Sequence, residues 1–179
     1  MDRVGMPAGD ATAPSRPCAF PIELWGPDRY DRVLHAHPYL TTDDLEHFHR
    51  QRTTCIVVLD GDRIAANTWM TGGDVYVHEL QRPLAVPHGQ HFSCRTYVSD
   101  DYRGQSLMGH MISTYSASVP ADDEVWGLVY AWNTASLLSL ERLGWMTTGE
   151  MWTRFVFGRP RPGERRFPPR RPTETGVGA

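Results

Sequence analysis

The stretch YVSDDYRGQSLMGHMISTY, residues 97–115, decides how the chain is read. It leaves a β-rich run at Tyr97 and Val98 and crosses a turn carrying Arg103 and Gly104. It then enters a segment where Leu107, Met108, Met111, Ile112 and Tyr115 recur at helical spacing. A helix start offers backbone N–H groups without intrahelical acceptors and a partial positive charge, so a strand, a glycine-bearing turn and a helix in this order suit an anionic phosphate. Arg103 adds a full charge, and Gly104 lets a ligand approach the backbone closely.

Working outward, QHFSCRTYV (90–98) alternates as a strand, and its period of two sends His91, Ser93, Arg95 and Tyr97 to one face and Phe92, Cys94, Thr96 and Val98 to the other. EVWGLVYAW (124–132) is a nearly continuous apolar strand of the kind covered on both sides, with Trp126, Tyr130 and Trp132 as core or cleft fillers. Asn133 caps a helix over TASLLSLERL that Gly144 ends, and EMWTRFVFG (150–158) is a last strand. Upstream, Asp43 with Glu46 predicts the start of a helix over 43–52, and two β-rich runs join at Asp60-Gly61 as a hairpin. DVYVHEL (74–80) reads as a further strand, while QRPLAVPHG is turn-rich and unassigned. The order predicts an α/β (α+β) domain over residues 21–158 with a mixed sheet. Residues 1–20, rich in Pro, Gly and Ala, read as a flexible leader, and 159–179 as a disordered Arg/Pro-rich tail.

At 179 residues the chain has the size of one domain, and no apolar run approaches the length of a membrane span. Cys18, Cys55 and Cys94 are odd in number and widely spaced, which argues against a disulfide framework or a cysteine metal site and points to a reducing cytoplasm. All eighteen basic residues are arginine, which excludes a Walker-type phosphate loop and a pyridoxal Schiff base, both of which need a lysine amine. Residues 159–172 carry six arginines against Glu164; taking that +5 from the net −3 leaves the remainder at −8. The pairs His35/His37 and His47/His49 lie two apart, a spacing that on a helix turns the rings away from each other, so no metal site is expected.

The order of elements, the TYVSDDYRGQ turn and the NTASLLSLERLGW segment together resemble the GNAT superfamily of N-acetyltransferases over roughly residues 42–157. The strongest piece is Asn133, Ser136 and Gly144-Trp145, similar to the family's N-x-x-A/S … G-F pattern. The resemblance implies a mixed central sheet flanked by helices, with its fourth and fifth strands, here 90–98 and 124–132, parallel and splayed around a pantetheine arm. It also implies a turn that embraces the pyrophosphate of acetyl-CoA or another acyl-CoA. Carried onto this chain, the cofactor-binding residues are Thr96, Tyr97, Val98, Arg103, Gly104, Gln105, Ser106, Leu107, Met108, Asn133 and Ser136, with backbone amides near Thr96 to Val98 facing the oxyanion. Two positions depart from the family: Ser106 and Met108 stand where small residues are usual, and Leu140 stands where a tyrosine often protonates the departing thiolate.

Acyl transfer to an amine needs a base, and the candidates are Glu79, His78 and His91. Glu79 ranks first, as a carboxylate beside aromatic residues, and Ser136 joins Glu79 and His91 as a catalytic candidate. A Cys94–His91 nucleophile pair is disfavoured, since the two face opposite ways on a strand. The expected activity is N-acyl transfer from a pantetheine thioester, on coenzyme A or an acyl carrier protein, to a small-molecule amine. The alternative is a binding or regulatory module that keeps the fold without turnover. Neither a nucleic-acid partner nor a membrane is expected.

Overall fold

The computed structural model describes residues 1–11 and 13–171. In chain order the elements are β1 (Asp2–Pro7), β2 (Ile22–Trp25), α1 (Tyr30–Ala36), α2 (Thr42–Gln51), β3 (Thr54–Asp60), β4 (Arg63–Thr71), β5 (Val75–Val77), β6 (Arg82–Leu84) and β7 (Gln90–Val98). There follow α3 (Leu107–Ser116), β8 (Glu124–Val129), α4 (Thr134–Arg142), β9 (Met146–Val156) and β10 (Arg159–Arg170). Eight strands form one mixed sheet in the order β10-β9-β1-β8-β7-β4-β3-β2, and β5 pairs with β6 as a separate hairpin.

The sheet is covered on both faces. One core packs Leu107, Met111, Ile112 and Tyr115 of α3 and Leu137 and Leu140 of α4 against Val4, Ile56, Ala66, Met70 and Val125 of the sheet. On the other face, Tyr30 and Val33 of α1 and Leu45 and Phe48 of α2 meet Trp25, Cys55, Val57 and Trp69. A third cluster joins Val75, Val77, Leu80 and Leu84 around the small hairpin to Phe92, Trp126 and Met151. The hairpin at Asp60-Gly61 forms as expected, with Gly61 in the left-handed conformation. The α2 cap lies two residues earlier than expected: Thr41 and Asp44, not Asp43 and Glu46, exchange the reciprocal hydrogen bonds of a capping box.

Two expectations are corrected. Residues 1–20 are not a flexible leader throughout: β1 lies between β8 and β9, antiparallel to both, and buries Val4 and Met6. Long-range pairing, not local propensity, orders it, and Gly5 makes the fit possible, because a Cβ there would stand 2.6 Å from the Trp126 Cβ. The tail from 159 is likewise ordered through Arg170, as β10 on β9. Its prolines are tolerated because β10 is an outermost strand whose outward edge needs no N–H donors. Residues 172–179 of the expected tail lie outside the described residues. The boundary at 21–158 is too narrow on both sides, since the sheet draws on both chain ends.

Overpacking this contact tests the arrangement: Gly5→Ala should destabilise the fold by about 1–3 kcal/mol, read as a lowered thermal unfolding midpoint. An unchanged midpoint would mean that β1 does not lie against Trp126.

Candidate functional site

The site is set by an irregularity in β7. Asn67 pairs with Tyr97 and Trp69 with Cys94, so the single β4 residue Thr68 faces two residues of β7, Arg95 and Thr96. This β-bulge holds Arg95 at φ 49, an unusual conformation for a residue with a side chain. It also resets the alternation. Cys94, Arg95 and Tyr97 turn to the α1/α2 face: Arg95 pairs with Asp44 and Tyr97 packs on His37. Ser93, Thr96 and Val98 turn to the α3/α4 face, where Thr68 Oγ1 lies 3.1 Å from Ser93 Oγ and 2.7 Å from Thr96 Oγ1. The faces expected from a strict period of two are therefore wrong from Arg95 onward.

The bulge is pinned from the α1 side. The Arg95 carbonyl accepts from Asn67 Nδ2 at 3.4 Å and lies 3.0 Å from His37 Nε2. The Tyr39 amide donates to His37 Nδ1 at 3.1 Å, so Nε2 is the protonated nitrogen and donates to Arg95. Burial lowers the His37 pKa, which favours this neutral tautomer.

Bending β7 opens the sheet. β7 and β8 run parallel and pair only from Gln90–Glu124 to Ser93–Gly127, although β7 continues to Val98 and β8 to Val129. Beyond Ser93, the β7 backbone on that edge has no partner in β8. Below the gap on the α2 side lies a cavity of about 300 Å3. Asp43, Asp44 and His47 of α2, His78 and Glu79 of the turn after β5, and Ser93, Cys94 and Arg95 line it, over an apolar floor that includes Phe48, Phe92 and Leu128. Arg95 spans its carboxylates, 3.0 Å from Asp44 and 3.8 Å from Glu79. Burial works to raise the Asp44 pKa, but hydrogen bonds from Thr41 and the Arg95 guanidinium outweigh it and hold the carboxyl below its ordinary value. Glu79 keeps 34% of its side chain exposed. The Tyr130 phenol is raised first by burial and then by Glu79, and its ring stacks on Trp132 at 5.0 Å.

At the C-terminal end of β7 the loop reaches α3. Gly104 has φ +77, and no atom lies within 4 Å of where a Cβ would stand. The N-cap of α3 is Ser106, left-handed at φ 58, and its side chain makes no capping bond. By contrast, α2 is capped by Thr41, and α4 by Asn133, whose Oδ1 accepts from the Ser136 amide at 3.2 Å. An uncapped first turn beside open space suits an anionic phosphate. Tyr102 anchors the loop by donating to Asp60 at 2.8 Å.

No family model and no curated protein matches the sequence. Among structures, the chain is similar to a Novosphingobium aromaticivorans protein assigned to the GNAT family as an acetyltransferase, with TM-score 0.54, 14% identity, and coverage of 82% of this chain and 58% of that one. It is also similar to a functionally unknown conserved protein from Staphylococcus epidermidis, with TM-score 0.53, 11% identity, and coverage of 82% and 56%. The fold is that of the GNAT acetyltransferases. The chain spans somewhat over half the length of these two relatives.

Several of the expected site residues stand on the loop, the gap or the cavity wall. Gly104, Gln105, Ser106, Leu107 and Met108 form the loop and the first turn of α3, with Leu107 buried and Met108 packed on the core, so these two offer backbone amides only. Thr96 and Val98 border the gap on the α3/α4 side. Glu79 is in the cavity wall. Others are placed differently. Arg103 is no unopposed cation, since its guanidinium lies 2.7 Å from Asp100 within the same loop. Asn133 and Ser136 are engaged with each other at the start of α4, although both remain partly accessible. His91 lies on the paired part of β7, between Tyr115 at 3.0 Å and Asp123 at 2.9 Å, and does not line the cavity. Leu140 is buried in the α3/α4 core. Burial pushes the Cys94 thiol up to about 12, which makes it a poor nucleophile at neutral pH. Sequence reasoning missed Asp44, His37 and Tyr39 as parts of the site; only the Thr41–Asp44 capping pattern could have drawn attention to one of them.

The lowered His37 pKa fixes a sign. An unfolded chain protonates this residue near its ordinary 6.5, the folded chain only at lower pH, so its contribution to stability is whole above that value and is lost as pH falls through the folded pKa. The unfolding midpoint should decline below about pH 6.5, and His37→Gln, which can donate to the same carbonyl without titrating, should decline less steeply. Equal slopes would remove His37 as the source.

Proposed function

We propose that the protein is an N-acyltransferase that moves an acyl group from a pantetheine thioester to a small-molecule amine. The observation that carries this reading is the gap opened by the Arg95 bulge, where β7 and β8 part beyond Ser93 and Gly127, directly beside a cavity containing Glu79. An arm lying in such a gap reaches the cavity from the α3 side, and an acceptor reaches it from the α2 side.

The loop residues Gly104 to Ser106 and the first amides of α3 would hold the pyrophosphate, and the hydroxyls of Ser93 and Thr96 border the arm. When bound, acyl-CoA supplies an acyl carbon open to attack and a thiolate able to depart. Amides of β7 beyond Ser93, freed from strand pairing, are available to a developing oxyanion. Glu79 receives the proton from the acceptor nitrogen as its bond to the acyl carbon forms and the carbon–sulfur bond breaks. Arg95, fixed on Asp44, holds the Glu79 carboxylate at the cavity edge. With Leu140 in place of a phenol that position has no proton to give the sulfur, and a thiolate with an ordinary pKa leaves without that help.

The buried Leu140 also favours a second reading, a binding module that holds the thioester without turnover. Calorimetric stabilisation by coenzyme A without thiol release across a panel of amines would select it.

In a thiol-release assay with an accepted amine, Glu79→Gln should lower kcat/KM by about a hundredfold or more with little change in the unfolding midpoint. An unaltered rate would remove Glu79 from the chemistry.

A further inference from the structure

The β9–β10 hairpin outruns the rest of the sheet. Glu150 and Val129 both pair with Asp2, so the end of β8 is level with Glu150; Met151 still exchanges backbone hydrogen bonds with Met1 and Thr153 Oγ1 donates to the Leu80 carbonyl, but from Trp152 to Gly163 the two strands of the hairpin pair only with each other. Six residues of strand carry the tip roughly 20 Å beyond that level. The tip is built against its own stability. Phe155, Val156 and Phe157 are consecutive and exposed, Phe157 at 101%. Phe157 also occupies the left-handed region at φ 50, beside Gly158 at φ 73, in a two-residue turn that favours Asn-Gly. One step back, Arg154 stands directly opposite Arg161, a like-charge pair, with Arg159 opposite Val156. No acidic residue occurs between 152 and 163, and among the described residues Arg154, Arg159 and Arg161 form no ion pair. Nearer the base, by contrast, Arg165 and Arg170 share Glu150.

We propose that this tip docks into an anionic lipid bilayer, with Phe155, Val156 and Phe157 entering the boundary between headgroups and acyl chains and Arg154, Arg159 and Arg161 meeting lipid phosphates. Phe157 stands at the end of the hairpin, Arg159 is level with Val156, and Arg154 and Arg161 lie two residues further back, an apolar tip with a basic collar that matches the depth profile of a membrane interface. Pro160 and Pro162 lack the N–H groups that would otherwise enter the interface unpaired on this outer strand. With these three arginines set aside the remaining chain is net −6, so it repels an anionic surface and only the tip is presented to it. The chain was expected to meet no membrane, and among the described residues no helix is long and apolar enough to cross one; this docking needs neither a helix nor the acyltransferase reading.

Co-sedimentation of the full chain with phosphatidylcholine vesicles, with and without phosphatidylserine, tests it. Binding should require phosphatidylserine and weaken with added salt. Each of Arg154→Ser and Arg161→Ser should lower partitioning about fivefold. Phe157→Asn, which suits the left-handed turn, should lower it about tenfold or more while the unfolding midpoint holds or rises. Equal partitioning to both vesicles, none to either, or indifference to Phe157→Asn would overturn the proposal. Binding to soluble polyglutamate but not to phosphatidylserine vesicles would also overturn it, in favour of an acidic protein.

Discussion

One extra residue in β7 organises the functional half of this molecule. The bulge at Arg95 bends the strand away from β8, frees backbone groups along the opening, and turns a guanidinium into the cavity beneath it. Its unusual backbone conformation is held from three directions: the carbonyl by Asn67 and His37, and the side chain by Asp44. Asp44 is in turn fixed by the Thr41 capping box, so the start of α2 and the shape of β7 are mechanically joined. A buried, neutral imidazole and a paired carboxylate thus support the strand at the point where the sheet parts.

The two sides of the opening have different characters. Toward α3 and α4, the edge is formed by hydroxyls and by an uncapped helix start, chemistry that accommodates a neutral arm and an anionic head. Toward α2, three carboxylates, two imidazoles and Arg95 surround an apolar floor. A molecule approaching from either side meets complementary groups only on that side. The sheet separates the two sides, and the gap between β7 and β8 joins them.

The sequence disclosed the parts whose structure is local. The turn at 97–115, the Asp60-Gly61 hairpin and the Asn133 cap follow from neighbouring residues, and each forms where expected. What sequence concealed depends on distant partners. β1 carries Gly5 and Pro7 and looks unstructured until Trp126 and Val125 lie beside it. β10 is rich in Pro and Arg, and its order is borrowed from β9. The bulge falls on an arginine, where no glycine marks a left-handed residue, so strict alternation misplaced the side chains beyond it. Glu79 and Arg95 stand in the cavity wall and are conspicuous in sequence, a carboxylate near aromatic residues and a polar side chain on a strand; their neighbour Asp44 is not, because a fold is required to bring α2 onto β7.

The position of β1 bears on how the molecule comes into being. Its residues are synthesised well before their partners in β8 and β9, which begin at residue 124. Until then β1 lacks both of the strands that flank it, and the sheet is open in its middle. Closing it spans more than two-thirds of the chain, the kind of contact that folds slowly. The nascent chain therefore passes through a stage in which an apolar seam is uncovered.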